Sequence, residues 1–181
     1  KRQDWFYDDI CIGYTEGVFN GESPTKANPN GLVTREQALT LMGRCMRLEE
    51  NVGEVTEFTD GREFSSWSAP FARSAVLNNL INGFADGSFR PKGNITVGEM
   101  AKMLSIGIGN LINTPGVYPV GGYPPNGVFG NLTINTNNVT LRDVTIAGDL
   151  FLTGGVGLGG VVLDNVRVLG RIIIAGGGNS E

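Results

Sequence analysis

The chain has 181 residues, 40% of them hydrophobic, with 14 basic and 18 acidic side chains and a formal net charge of -4, which supplies enough apolar matter for one large or two small cores. No basic run can follow a phosphate backbone and no apolar run reaches the roughly 20 residues of a membrane-spanning helix, so neither nucleic acid nor a membrane span is expected. Histidine is absent, which excludes Ser-His-Asp, Cys-His and His-ligated metal chemistry from these residues, and no cofactor is expected.

Lys1 opens the chain without the apolar core of a signal peptide, so the expectation is a soluble protein whose export signal has been removed. Trp5, Asp9, Ile10 and Tyr14 then recur at helical spacing and predict a first helix ending near Gly17 and Gly21. A second helix opens at Thr34-Arg-Glu-Gln37, the Thr-x-x-Gln/Glu form of a capping box, and carries an apolar stripe through Ala38, Leu41, Met42 and Cys45. Cys11 and Cys45 are too few for a disulfide framework. They read either as two thiols on helix faces or as one bridge.

Shifting the chain by 62 positions lays Trp5 on Trp67, Gly21 on Gly83, Pro29 on Pro91, Gly31 on Gly93 and Thr34 on Thr96 without a gap. The apolar pairs Val18/Leu80, Phe19/Ile81, Val33/Ile95 and Leu41/Met103 fall in step, so the repeat is a folded unit. The second copy therefore predicts a helix through Trp67, Phe71, Ala75 and Leu80. It then predicts a tight turn at Asp86-Gly87 with Phe89 returning to the core, and another capped helix from Thr96-Val-Gly-Glu99 through Met100, Met103 and Leu104.

Trp67, the stretch Gly83-Phe-Ala-Asp-Gly-Ser-Phe-Arg-Pro91 and Ile95-Thr-Val-Gly-Glu-Met-Ala-Lys-Met-Leu104 together resemble the S-layer homology module, as do Phe58-Thr-Asp60 and Val33-Thr-Arg-Glu-Gln37. The likeness spans residues 1 to about 107. It implies non-covalent attachment of an exported protein to bacterial cell wall through wall-linked polysaccharide, often bearing acidic pyruvyl groups, by modules that usually act in threes. Carried over residue by residue, it nominates Trp5, Arg35, Trp67, Asp86 and Gly87 as glycan-binding positions, the arginine as a fork of donors for a carboxylate. The first unit keeps Arg35 but has Pro24-Thr25 at the Asp-Gly position; the second keeps Asp86-Gly87 but has Val97 at the arginine. Two readings follow: a groove to which adjoining units each contribute half, or degenerate modules kept for packing or assembly. A further module upstream, or neighbouring chains in a homo-oligomer, would complete a set of three.

Residues 113–128, with Pro115, Pro119, Pro124 and Pro125, read as an extended linker. Beyond it a shift of 22 aligns Val139/Val161, Leu141/Leu163, Val144/Val166, Ile146/Val168, Leu150/Ile172 and Leu152/Ile174, and glycine-led strands recur at Gly130, Gly148 and Gly170. Three short strands per turn of about 22 residues predict a parallel β-helix, with Arg142-Asp143 stacked on Asp164-Asn165 at a corner. The outward positions, Thr140 over Val162, Thr145 over Arg167 and Phe151 over Ile173, hold no paired acids, so catalysis is not expected. The apolar column of Phe151 and Ile173 suggests a covered face. Gly176-Gly-Gly-Asn-Ser-Glu181 reads as a cap or as the cut end of a longer coil.

The expected architecture is α+β: all-α helix-loop-helix repeats at 1–50 and 51–112, a linker at 113–128 and a short β-helix solenoid at 129–181. The expected role is a non-catalytic, extracellular wall-anchoring protein whose partner is secondary cell-wall polysaccharide. The alternatives are a fragment of a surface carbohydrate-active enzyme and a module adapted to oligomerisation.

Overall fold

The computed structural model describes residues 4–23, 25–119 and 127–176. Pro24, Pro124 and Pro125 of the sequence reading, and the end of the chain over 177–181, lie outside them. Contacts divide the chain into two compact units, Lys1–Leu104 and Ser105–Glu181.

The first unit is built on helices α1 (Tyr7–Thr15), α2 (Arg35–Cys45), α3 (Ala69–Leu77) and α4 (Val97–Ile108), the last of which runs into the second unit. Each helix of the second repeat starts 62 positions after its counterpart, as the shift predicts. Both capping boxes form. Thr34 Oγ1 accepts from Gln37 N at 3.3 Å while Gln37 Oε1 accepts from Thr34 N at 2.9 Å, and Thr96 and Glu99 repeat the exchange at 3.3 and 2.9 Å. Replacing Thr34 with alanine is expected to cost about 1 kcal/mol in a urea melt, because one orphan amide of the first helical turn loses its acceptor.

Helices α2 and α3 pack together through Leu39, Met42, Phe71, Ala72 and Ala75, all buried. Gly43 permits the approach, since a Cβ there would stand 2.8 Å from the Phe71 ring. Phe89 is wholly buried between Phe58 and Phe64, with ring centroids 5.2 and 5.1 Å away. Cys11 and Cys45 are both exposed and unbridged.

The repeats are not all-α as expected. Thr34 and Asn94 form an antiparallel bridge between the two repeats, Ser23 and Lys26 form another, and residues Gly61–Glu63 make a 3-10 turn. The physical reason lies at the start of α2, whose first amides have no partner inside the helix. They are satisfied by extended chain of the second repeat: Arg35 N donates to Gly93 O at 2.9 Å and Glu36 N to Pro91 O at 3.0 Å.

The second unit contains β1 (Asn110–Ile112), β2 (Gly116–Tyr118), β3 (Val128–Phe129), β4 (Leu132–Ile134), β5 (Val139–Ile146), β6 (Leu150–Leu152), β7 (Val161–Val168) and β8 (Ile172–Ile174). One parallel sheet runs β1-β4-β6-β8; in the other, β2, β3 and β7 all pair with β5. Strands β1 and β2 occupy residues that the sequence reading gave to the second repeat and the linker. The core is Leu132, Ile134, Val139, Leu141, Val144, Ile146 and Leu150, the alternation expected for β5. The 22-residue shift is the pairing register of β5 with β7 and of β6 with β8.

The expected β-helix solenoid is not seen: the unit consists of two parallel sheets of short strands. A coil needs turns of one length, yet Asn110 lies opposite Leu132, Leu132 opposite Leu150 and Leu150 opposite Ile172, offsets of 22, 18 and 22 residues. The residues read as a corner also do not end a strand. Asp143 and Asn165, at φ 54° and 52°, lie within the eight-residue strands β5 and β7. There Asn165 Nδ2 donates to Asp143 Oδ1 at 2.7 Å and Arg142 pairs with Asp164 at 2.7 Å, the ladder foreseen for these positions. The apolar column is covered as foreseen, with Thr133 and Ile173 buried and Phe151 half-buried. The last turn of α4 meets Thr133, whose hydroxyl donates to Ile108 O at 2.8 Å, while Asn131 Nδ2 donates to Gly107 O at 3.0 Å, satisfying terminal helix carbonyls.

Candidate functional site

Three of the five nominated residues meet on one loop of the first unit, over residues 83–91. The Asp86-Gly87 pair makes the foreseen turn: Gly87 takes φ 79° and its amide donates to Phe84 O at 2.9 Å. The Asp86 carboxylate accepts from the hydroxyl and amide of Ser88 at 2.6 and 2.9 Å and from the Arg90 guanidinium at 2.8 Å. Those donors, Ser88 first, hold the carboxyl well below its usual range. Asp60 pins the same loop from the opening of the repeat, accepting from Phe89 N at 2.8 Å and Arg90 N at 2.7 Å.

Arg35 enters this loop from the first repeat and is only 5% exposed. Its Nε donates to Phe89 O at 2.6 Å, its guanidinium carbon lies 4.6 and 4.5 Å from the ring centroids of Phe84 and Phe89, and Nη1 is 3.4 Å from the Glu99 carboxylate. A guanidinium stacked between two rings and bonded to a buried carbonyl is spent on joining the repeats. Beside it Glu36, buried, accepts from Ser65 N at 2.9 Å, Ser65 Oγ at 3.0 Å, Ser68 Oγ at 2.7 Å and Lys92 Nζ at 2.6 Å. Sequence reasoning passed over this carboxylate, although it stands inside the Thr34-Arg-Glu-Gln37 signature.

The principal concavity is a cleft of about 500 Å³ formed by α1, the loop leading to α2, one side of α2, and Trp67. Its floor is apolar, with Ile10, Phe19, Val33 and Leu41, and its polar groups include Asn20, Glu22, Asn28, Gln37 and Arg44. Trp67 borders it with 46% of its surface exposed, whereas Trp5 stands 89% exposed with its edge against Phe6. Arg44 donates to Val18 O at 3.4 Å, and its guanidinium carbon lies 5.6 Å from the centroid of Phe71.

The cleft has a counterpart in the second repeat. Phe84, Phe89 and Glu99, the three side chains that surround the Arg35 guanidinium, correspond at the 62-residue shift to Glu22, Ala27 and Gln37, which all line the cleft. What Arg35 fills in the second repeat is open in the first. Among the described residues no group of three His, Cys, Asp or Glu side chains is placed to hold a metal ion, and no helix is long and apolar enough to cross a membrane.

Residues 2–39 and 57–101 match the S-layer homology domain. The chain is 31% identical over 148 residues to the surface-layer 125 kDa protein of Lysinibacillus sphaericus, an alignment covering 80% of this chain and 12% of that protein. It is 31% identical over 109 residues to an amylopullulanase of Thermoanaerobacterium thermosulfurigenes, covering 58% of this chain and 6% of the enzyme. The chain thus spans about an eighth or less of these relatives. A crystal structure of the cell-surface-expressed chitinase ChiW from Paenibacillus sp. str. FPU-7 matches at 33% identity over 39% of this chain and 99% of that chain, with a TM-score of 0.31.

Proposed function

This chain is a cell-surface, cell-wall-associated protein carrying S-layer homology modules over residues 2–39 and 57–101, and we propose that it anchors by gripping wall polysaccharide in the Trp67 cleft, without catalysis of its own. The observation that carries the reading is the half-exposed Trp67 indole bordering a cleft whose polar groups are amides and one guanidinium. An aromatic face covers the apolar face of a sugar ring, and Asn20, Asn28 and Gln37 supply donors and acceptors for hydroxyls. Arg44 is the cation placed to meet an acidic substituent such as a pyruvyl carboxylate. Of the other nominated positions, Arg35, Asp86 and Gly87 act by shaping the junction beside the cleft, and Trp5 offers a second exposed indole.

Co-sedimentation with cell-wall sacculi tests this. The chain is expected to pellet with intact sacculi and to remain in solution once acid has stripped the polysaccharide from the peptidoglycan. Trp67→Ala is expected to weaken pelleting roughly 10- to 30-fold, as for an aromatic anchor at the centre of a contact, and Trp67→Phe to retain most of it. Equal pelleting on stripped sacculi would sink the polysaccharide reading. The amylopullulanase likeness favours a second reading, in which the same modules hold a carbohydrate-active enzyme at the wall; a hydrolase assay of the intact surface protein separates the two.

A further inference from the structure

The junction between the repeats is made of two unlike faces, and the molecule presents each of them a second time without a cover. The first face is one side of α2, where Arg35, Glu36, Leu39 and Thr40 are buried against the second repeat. The matching residues of α4, at the 62-residue shift, are Val97, Gly98, Ala101 and Lys102, and all four are exposed, Val97 to 89%. The other face is α3, with Phe71, Ala72, Ser74 and Ala75 buried. The matching residues of α1 are Asp9, Ile10, Ile12 and Gly13, and α1 buries none of its residues; Ile12 is 61% exposed.

We propose that these uncovered faces join head to tail between two copies of the chain, α4 of one packing on α1 of the next as α2 packs on α3 within each copy. The internal junction supplies the template, and the sequence changes on the two outer faces match one another. Where Arg35 meets the rings of Phe84 and Phe89, the outer junction brings Val97 to Glu22 and Ala27: the arginine and its aromatic cradle are both absent. Lys102 on the outgoing face complements Asp8 and Asp9 at the start of α1. The buried lock of Glu36 with Ser65, Ser68 and Lys92 has no outer equivalent, because Gly98 stands in place of the carboxylate. The outer contact is therefore weaker than the inner one and concentration-dependent. Being heterologous, it leaves one free face at each end of every assembly that does not close into a ring.

That asymmetry defines the experiment. Sedimentation equilibrium of the full chain between about 0.01 and 1 mM, the range that captures a weak contact, is expected to show an average mass rising above the 19.2 kDa monomer. Val97→Glu destroys one face and Ile12→Glu the other, both at exposed positions, so each variant alone is expected to stay monomeric at 1 mM. Mixed in equal amounts, they are expected to form a dimer and nothing larger, since one intact face of each remains. A wild-type chain that stays monomeric, a single variant that still associates, or a mixture no heavier than its components overturns the proposal. No wall material is present, so this failure is distinct from a failure of the anchoring reading.

Discussion

Arg35→Ala is expected to destabilise the first unit by about 3 kcal/mol in urea melts followed by tryptophan fluorescence. Three losses add. The charged hydrogen bond from Nε to Phe89 O disappears and leaves a buried carbonyl without that donor, typically 1.5 to 3 kcal/mol for a charged bond. The stacking on Phe84 and Phe89 goes with it, worth up to about 2 kcal/mol when desolvated. The space left between the rings collapses only in part. Because Glu99 is partly exposed, water replaces its lost partner and limits the total. Arg35→Lys is expected to recover less than half, since an ammonium is a point charge without the flat face that lies on the rings. The measurement also separates a structural from a binding role. A glycan ligand would lose sacculus affinity in a variant of unchanged stability, whereas the geometry expects stability to fall first.

The repeats were legible because their signals are local or strictly periodic. Trp5 and Trp67, the Thr34 and Thr96 caps and the Asp86-Gly87 turn are each declared by a few adjacent residues, and the 62-residue shift placed all four helices. The pairing of Val139 with Val161 through Ile146 with Val168 was legible for the same reason. The place of Arg35 was not, because its aromatic cradle lies some fifty residues away and no local pattern distinguishes a guanidinium folded inward from one offered to solvent. The cleft was missed likewise: Asn20, Asn28, Gln37 and Arg44 become neighbours of Trp67 only once α2 and α3 have packed. In the second half the pairing register was visible but the architecture was not. Gly130, Gly148 and Gly170 are spaced by 18 and then 22 residues, and that inequality separates two sheets of short strands from a uniform coil. Strands β1 and β2, of three residues each, are too short to show any period.

Glu36→Gln is expected to cost about 3 kcal/mol at neutral pH, the range for removing one partner from a buried ionic cluster, and almost nothing in acid. Burial pushes this carboxyl up, but the Lys92 ammonium, the Ser65 amide and the hydroxyls of Ser68 and Ser65 together outweigh burial and hold it below its ordinary value of 4.5. A carboxyl that ionises more readily folded than unfolded stabilises the fold at every pH above the unfolded value, and the contribution is lost as pH falls through the lower folded value. The glutamine keeps the shape and one acceptor, but it turns an amide group toward donors that already need acceptors and leaves Lys92 without a counter-charge. In urea melts at stepped pH, the gap between wild type and Glu36→Gln should therefore be widest at pH 6 to 7 and close below the ordinary carboxylate range, where the wild-type side chain is itself neutral. A gap that stays constant down to about pH 2 would mean that shape, and not charge, is what Glu36 contributes to the junction. The result bears on anchoring, because Glu36 on α2 draws Ser65 and Ser68, at the approach to α3, and so fixes Trp67 beside the cleft. The acid range over which this gap closes is then the range over which the cleft is expected to lose its aromatic wall.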